Sequence, residues 1–236
     1  MSRAKQCLLI GNTRWHWAKK IKDQWEFIHE EPDPQKLINL SDPLFAWAAV
    51  GAIPTSVRFD PLSLIELRDI PLKQMPVWLG IDRALGAWGA LKRAKACGMS
   101  SQGLLVADAG TVLSLTKVTS NGDFCGGQLI AGLQLQLKAM DKGTKQLNNP
   151  GLTPISSNFF PTTTADAMRV GSVQALCGSL IEAHHETGLP IWLCGGDAPF
   201  LLKALKRRNV EVAHHPNLVL EGMVEVATRL NEDPNQ

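Results

Sequence analysis

Two short segments of this 236-residue chain place charged side chains where charge can do chemistry. In Gly80-Ile81-Asp82-Arg83 a carboxylate and a guanidinium adjoin at the start of a helical pattern. Asp82 there is either a helix-capping group, which satisfies orphan N–H groups and suits the dipole, or a carboxylate base at a cleft edge. Arg83 is either a solvated surface cation or a fork for a two-oxygen anion such as a carboxylate. In Val106-Ala107-Asp108-Ala109-Gly110-Thr111 an apolar run ends in a tight turn. Glycine lets the backbone approach a ligand closely, turn N–H groups can face an anion, and the Asp108 carboxylate beside them can hold a cation. The plain alternative is an ordinary Asp-Gly turn. Similar glycine turns follow apolar runs at Gly11-Asn12-Thr13 and at Gly195-Gly196. None has the spacing of a P-loop or of G-x-G-x-x-G. A nucleotide would have to be held by several separated turns, two for phosphates and one for base and ribose. Phosphoryl transfer suits such a set, because it needs positioned phosphates, neutralised charge and an acceptor hydroxyl near a base.

The elements that must position these groups follow from pattern. Cys7 to Ile10 reads as a strand, Trp15 to Trp17 as its return and Trp25 to His29 as a third strand. A helix starts at Pro34 with Asp33 as its cap, and Phe45 to Val50 is a buried strand running into Gly51. Pro61 to Leu67 suits a short helix. Leu85, Trp88, Leu91 and Ala94 fall at helical spacing after Asp82, and Gly98 closes that helix. Leu104 onward gives a strand, the Gly110 turn, a strand over Val112 to Val118, an Asn121-Gly122 signal for a type I′ hairpin, and a third strand into Gly126-Gly127. Helices over Leu133 to Met140 and from Ala165 (capped by Thr163 or Thr164) come next. A strand over Ile191 to Cys194, a helix over Phe200 to Lys206, a strand over Val210 to Ala213 and a helix over Leu218 to Leu230 complete the chain. The long helix shows a small-residue face through Ala167, Gly171, Ala175 and Gly178. The second half thus reads β-β-β-α-α-β-α-β-α, an α/β domain. Residues 8–13 overlay residues 106–111, which suggests two similar halves with a cleft between them.

Composition narrows the function classes. Hydrophobic content of 44% and charged content of 19% suit a folded domain, and a net charge of +2 gives no electrostatic case for nucleic acid or anionic lipid. No apolar run approaches the roughly 20 residues of a membrane helix, and the start lacks a signal-peptide core. Five scattered cysteines without a C-x-x-C pair favour a reducing cytoplasm and a role as buried small hydrophobes. The histidines show no metal-binding spacing. Seven tryptophans and no tyrosine suggest a heavy core rather than a stacking platform.

Taken in order, the motifs resemble those of the type III pantothenate kinase family, within the acetate and sugar kinase/Hsp70/actin superfamily. The family's D-x-G-N-[TS] stands here as Leu9-Ile10-Gly11-Asn12-Thr13, its G-x-D-R as Gly80 to Arg83, and its D-x-G-T as Asp108 to Thr111. Its G-G-x-[IL]-x-[PA]-G matches Gly126 to Gly132, its [NDT]-T-x-x-A-[MI] matches Thr163 to Met168, and its G-G-[DN]-[AG] matches Gly195 to Ala198. The resemblance implies an α/β fold of two duplicated ribonuclease H-like halves (the actin-like ATPase fold), residues 1–101 and 102–236, with the active site in the cleft between them. It implies ATP-dependent phosphorylation of pantothenate to 4′-phosphopantothenate, the first step of coenzyme A biosynthesis, by a cytoplasmic homodimer using ATP with Mg2+ and a monovalent cation, K+ or NH4+. On that basis Asp82 is the general base; Gly80, Ile81, Asp82, Arg83 and Thr164 contact pantothenate, with Arg83 near its carboxylate. Gly11, Asn12, Thr13 and Thr111 hold phosphates, Gly195 and Gly196 lie by the adenosine, and Asp108 holds the monovalent cation.

Two departures shape the expectation. The family's first carboxylate is Leu9 here, and leucine cannot ligate a metal. Magnesium is then held by phosphates, waters or Asp108, with weaker affinity and retained activity. The family's tyrosine before G-x-D-R is absent, with Trp78 in that neighbourhood. The alternative is a non-catalytic relative that binds a nucleotide or acidic metabolite and regulates a partner.

Overall fold

The structure, a computed structural model, describes residues 5–99, 102–208, 210 and 212–232. The chain forms two compact units: residues 1–101, 121–124 and 217–236 make the first, and residues 102–120 and 125–216 the second. The second half of the sequence therefore supplies its last helix to the first unit.

In the first unit, β1 (Gln6–Ile10), β2 (Trp15–Ile21) and β3 (Gln24–Glu30) form an antiparallel meander, and β4 (Ala46–Ala49) pairs parallel to β1, giving the order β3-β2-β1-β4. Beyond β4 a single parallel bridge joins Trp47 to Leu64, where a fifth strand would lie. The crossover into β4 contains α1 (Pro34–Ile38), whose Asp33 cap accepts from the Gln35 N–H, as the sequence suggests. One sheet face buries Leu8, Ile10, Trp15, Trp17, Leu37 and Trp47. The opposite face carries Leu9, Ala18, Ala46 and Ala48, all buried. Its small side chains admit α2 (Ile81–Ala96) and α6 (Leu218–Glu232), which pack on this sheet and on each other. The two helices cross at glycines: a β-carbon on Gly222 would lie 2.0 Å from the Leu85 carbonyl oxygen, and one on Gly89 2.3 Å from that of Leu218. No side chain fits there.

The second unit repeats the plan with a complete fifth strand. β5 (Leu104–Ala109), β6 (Val112–Val118), β7 (Phe124–Ala131), β8 (Ile191–Cys194) and β9 (Val212–His214) run in the order β7-β6-β5-β8-β9, with β5, β8 and β9 parallel. α3 (Leu133–Gly143), α4 (Thr164–Thr187) and α5 (Ala198–Lys206) bury apolar faces against Leu105, Ala107, Ala109, Leu113 and Ile191. A four-stranded 3-2-1-4 sheet and a five-stranded 3-2-1-4-5 sheet of the same order make this a duplicated ribonuclease H-like, actin-like α/β fold.

Local expectations fare unevenly. The Asn121-Gly122 turn is not of type I′: Gly122 has φ +84°, but Asn121 is not among the described non-glycine residues with positive φ. The loop is longer because residues 121–124 are drawn to the first unit, where the Lys73 N–H donates to the Gly122 carbonyl and the Phe124 N–H to that of Lys73. Pro61 to Leu67 breaks into two 3-10 turns, Pro61–Ser63 and Leu67–Asp69. Cys7, Cys177 and Cys194 are buried, but Cys97 caps the end of α2 and Cys125 lies on the outer strand β7, and both are exposed. Part of the strand expected over Val210 to Ala213, the tail past Glu232 and the first four residues lie outside the described residues.

Candidate active site

In the first unit the Gly11 turn is a backbone device. The Gly11 N–H donates to the Arg14 carbonyl at 3.0 Å, and the Val50 and Gly51 N–H groups both donate to the Ile10 carbonyl, at 2.9 and 3.0 Å. A β-carbon on Gly51 would lie 2.2 Å from the Gly11 oxygen, so the end of β4 is seated directly on the turn. Asn12 and Thr13 are exposed at its tip. A β-carbon on Gly11 would lie 2.6 Å from the Arg14 carbonyl oxygen and 3.1 Å from His16 Nε2. His16 Nδ1 is 2.7 Å from His29 Nδ1, and His29 Nε2 is 2.9 Å from Asn217 Oδ1 at the foot of α6. Burial, with help from His29 and Arg14, pushes the His16 pKa down to about 4. Leu9 lies directly opposite His16 in the β1–β2 pairing and is buried.

Asp82 is the second residue of α2; Gly80 holds the N-cap position, and Asp82 serves the orphan N–H groups of the helix start from inside the first turn. Its Oδ1 accepts from the Arg83 N–H at 2.8 Å. Burial raises its carboxyl pKa, opposed by that hydrogen bond and by the Arg83 charge. A β-carbon on Gly80 would stand 2.6 Å from Asp82 Oδ1, so glycine at 80 makes room for the carboxylate. Ile81 is buried beneath it. Arg83 is lowered by burial and raised by Asp82, a coupled acid–cation pair at one helix start.

In the second unit the Gly110-Thr111 turn is braced twice. The Gly132 N–H donates to the Thr111 carbonyl at 3.0 Å, and a β-carbon on Gly132 would lie 2.1 Å from the Gly110 oxygen. Gly195 has φ +90°, and a β-carbon on it would lie 2.4 Å from both the Ala109 oxygen and Asp108 Oδ1. The Asp108 carboxylate thus rests against the Gly195 turn, and the Asp197 N–H donates to the Ala109 carbonyl at 2.8 Å. Gly196 and Thr111 are exposed. Thr163 is the cap of α4: its hydroxyl accepts from the Asp166 N–H at 3.2 Å and donates to the Asp166 carboxylate at 2.8 Å. Thr164 begins the helix with its side chain exposed.

The structure therefore joins Gly80, Asp82 and Arg83 in one unit, and Asp108 and Gly195 in the other. Sequence reasoning passed over Gly51 as a partner of the Gly11 turn and the His16–His29–Asn217 chain. A signal for Gly51 exists: β4 and β8 each carry a tryptophan, Trp47 and Trp192, a few residues before a glycine that meets the turn of the neighbouring strand. His29 and Asn217 are 188 residues apart, and no local pattern links them.

The type III pantothenate kinase family model matches residues 69–186. A type III pantothenate kinase of Thermosynechococcus vestitus is 32% identical over 213 residues, spanning 84% of this chain and 80% of that protein. The enzyme of the same name from Synechococcus elongatus is 28% identical over 97% of this chain and 98% of its own length. Among solved structures, a protein assigned to the Baf family of transcriptional activators from Campylobacter jejuni superposes with a TM-score of 0.63 at 18% identity, covering 98% of this chain and all of its own. The activator of 2-hydroxyisocaproyl-CoA dehydratase from Clostridium difficile does so with a TM-score of 0.55 at 12% identity over 98% of this chain and 97% of its own. These two likenesses establish the fold; the sequence matches, running through Gly80–Arg83, Asp108–Thr111 and Gly126–Gly132, establish that the chain belongs to the type III pantothenate kinase family.

Proposed function

We propose that Asp82 is the general base of an ATP-dependent pantothenate kinase, taking the proton of the primary hydroxyl as it attacks the γ-phosphorus to give 4′-phosphopantothenate. One observation carries this role: a carboxylate given space by Gly80, oriented by the Arg83 N–H and raised by burial has the poise of a base. Arg83 offers its fork to the pantothenate carboxylate, with the Gly80 and Ile81 backbone and the Thr164 hydroxyl as further contacts. Gly11, Asn12 and Thr13, and Thr111 in the second unit, receive phosphates at glycine turns; Gly195 and Gly196 take the adenosine side.

A divalent cation bound with ATP neutralises charge on the transferred phosphoryl group. Among the described residues no three His, Cys, Asp or Glu side chains gather as a metal set. That donor set fits a cation held chiefly by the nucleotide's own phosphates. Asp108, braced against Gly195, is assigned to the monovalent cation, K+ or NH4+. Residues 1–101 and 102–236 are read as the two copies of the duplication. The homodimer is supported by the face of α4 on which Ala167, Gly171, Ala175 and Gly178 are all exposed, a surface that lets another backbone approach closely. None of the five cysteines is in a disulfide, in keeping with the cytoplasm, and no helix among the described residues is long and apolar enough to cross a membrane.

The test is ADP release with ATP, K+ and pantothenate. Pantothenate-dependent release that Asp82→Asn abolishes supports the reading. Full activity of Asp82→Asn overturns the base assignment, and release with another hydroxy acid but none with pantothenate overturns the substrate.

A further inference from the structure

Arg14 closes the Gly11 turn. The Gly11 N–H donates to its carbonyl at 3.0 Å, and the next residue, Trp15, is the first of β2 to pair with β1. The backbone therefore fixes its position, while its side chain is exposed, as are those of Asn12 and Thr13. Among the described residues its guanidinium makes no ion pair and no hydrogen bond. The carboxylate of Glu30, opposite Trp15 on β3, is paired with Lys36 instead. His16, with its pKa pushed down to about 4, is neutral at pH 7, and Leu9 is apolar. From Leu9 to His16, Arg14 is then the one formal charge.

The second unit supplies the contrast. There the residue directly before the first paired position of the return strand is Val112, and the residue two before the turn glycine is Asp108. One turn carries Leu9 and Arg14 at these two places, and the other carries Asp108 and Val112. A carboxylate beside a turn suits a cation, and a guanidinium beside a turn suits an anion. Turn N–H groups contribute partial charges only. A guanidinium brings a full charge and a planar fork that matches two phosphate oxygens. This fork gives up no protein partner on binding, so it loses only the freedom of its own side chain.

We propose that Arg14 is a phosphate-binding residue of the Gly11 turn, its guanidinium neutralising charge on the nucleotide phosphates that the turn receives. The inference rests on the kinase reading of that turn. It gives to a side chain the neutralisation that a carboxylate at residue 9 would supply through a bound cation. The Mg2+-free nucleotide carries more uncompensated charge, so its binding depends on Arg14 most.

Phenylglyoxal, which modifies arginine, reads the contact on the unaltered protein. By peptide mass spectrometry, saturating ADP should protect Arg14 and adenosine should not. Calorimetric titration gives the magnitude. Arg14→Met should weaken ADP on the order of 10- to 100-fold without Mg2+, and less with it, while adenosine binding stays unchanged. Arg14→Lys, which keeps the charge without the fork, should lie between the two proteins. Equal labelling of Arg14 with and without ADP overturns the proposal alone, as does an ADP affinity in Arg14→Met within about threefold of the unaltered protein in both conditions. A loss of the same size for adenosine gives Arg14 a structural role and overturns it too. Failure of ADP to bind the unaltered protein, with or without Mg2+, overturns the kinase reading and the proposal with it.

Discussion

Gly80→Ala separates the fold from the chemistry. The added β-carbon would sit 2.6 Å from Asp82 Oδ1, whereas ordinary contact begins at 3.4 Å, so the carboxylate must retreat by about 0.8 Å. It is the far end of a rotatable side chain and yields by turning. Stability therefore changes little: alanine in place of glycine at a helix cap costs up to about 1 kcal/mol. Catalysis responds differently, because a misplacement of about 1 Å in a positioned group costs on the order of 100-fold, or about 2.7 kcal/mol of transition-state stabilisation. Steady-state ADP release should show kcat down about 100-fold while the urea midpoint stays near that of the unaltered protein. In an Asp82→Asn background the same change should add less than about threefold, since both act through one carboxylate. A kcat within threefold of the unaltered enzyme, or full additivity with Asp82→Asn, would refute the reasoning.

Asp82→Asn should lose roughly 100- to 10,000-fold in kcat and gain stability at neutral pH. The carboxyl pKa lies above its usual 3.8 in the folded chain, so above that pH the unfolded chain holds fewer protons here than the folded one and this group opposes folding. Urea unfolding should show the variant's advantage at pH 7 and its disappearance near pH 3; an equal advantage at both would contradict the burial argument. Gly222→Ala should cost about 3 kcal/mol in the same assay, because its β-carbon would fall 2.0 Å from a backbone oxygen that cannot turn away; a loss below 1 kcal/mol would mean the helices separate freely. Leu9→Asp should tighten Mg2+ in the ADP complex, measured calorimetrically. An unchanged Mg2+ dependence would mean that residue 9 does not face the cation.

Much of the fold was legible because the chain is consistent at short range. Asp33 before Pro34, the alternation through Trp15 and Trp17, and the helical spacing after Asp82 each act within a few residues. What escaped was set at long range. The Asn121-Gly122 turn has the right residues for a tight hairpin, yet Lys73 pairs with that segment and lengthens it. Helix α6 follows the second half in sequence but packs in the first unit, because Gly222 and Gly89 allow a backbone approach that no hydropathy pattern reveals. At the candidate site, the motif residues named the turns that the proposed function uses. The glycines that brace them, Gly51 and Gly132, are defined by clashes that only coordinates expose.

The duplication gives the Leu9 prediction its logic. Leu9 and Asp108 stand at matching places: each lies two residues before its turn glycine, on the sheet face away from the cluster containing Leu8 and Ile10 in one unit and Ala107 and Ala109 in the other. Asp108 faces Ser114 across its hairpin, and Leu9 faces His16. Directly opposed residues of an antiparallel pair share a face and hold their β-carbons about 5 Å apart, so Leu9 has His16 as its cross-strand neighbour where Asp108 has the small hydroxyl of Ser114. Leu9→Asp returns a carboxylate to the place in the first unit that Asp108 holds in the second, and the tighter Mg2+ binding expected of it is the test of that equivalence. If Leu9→Asp folds but binds Mg2+ in the ADP complex no better than the unaltered protein, matching position in the two sheets does not carry matching chemistry.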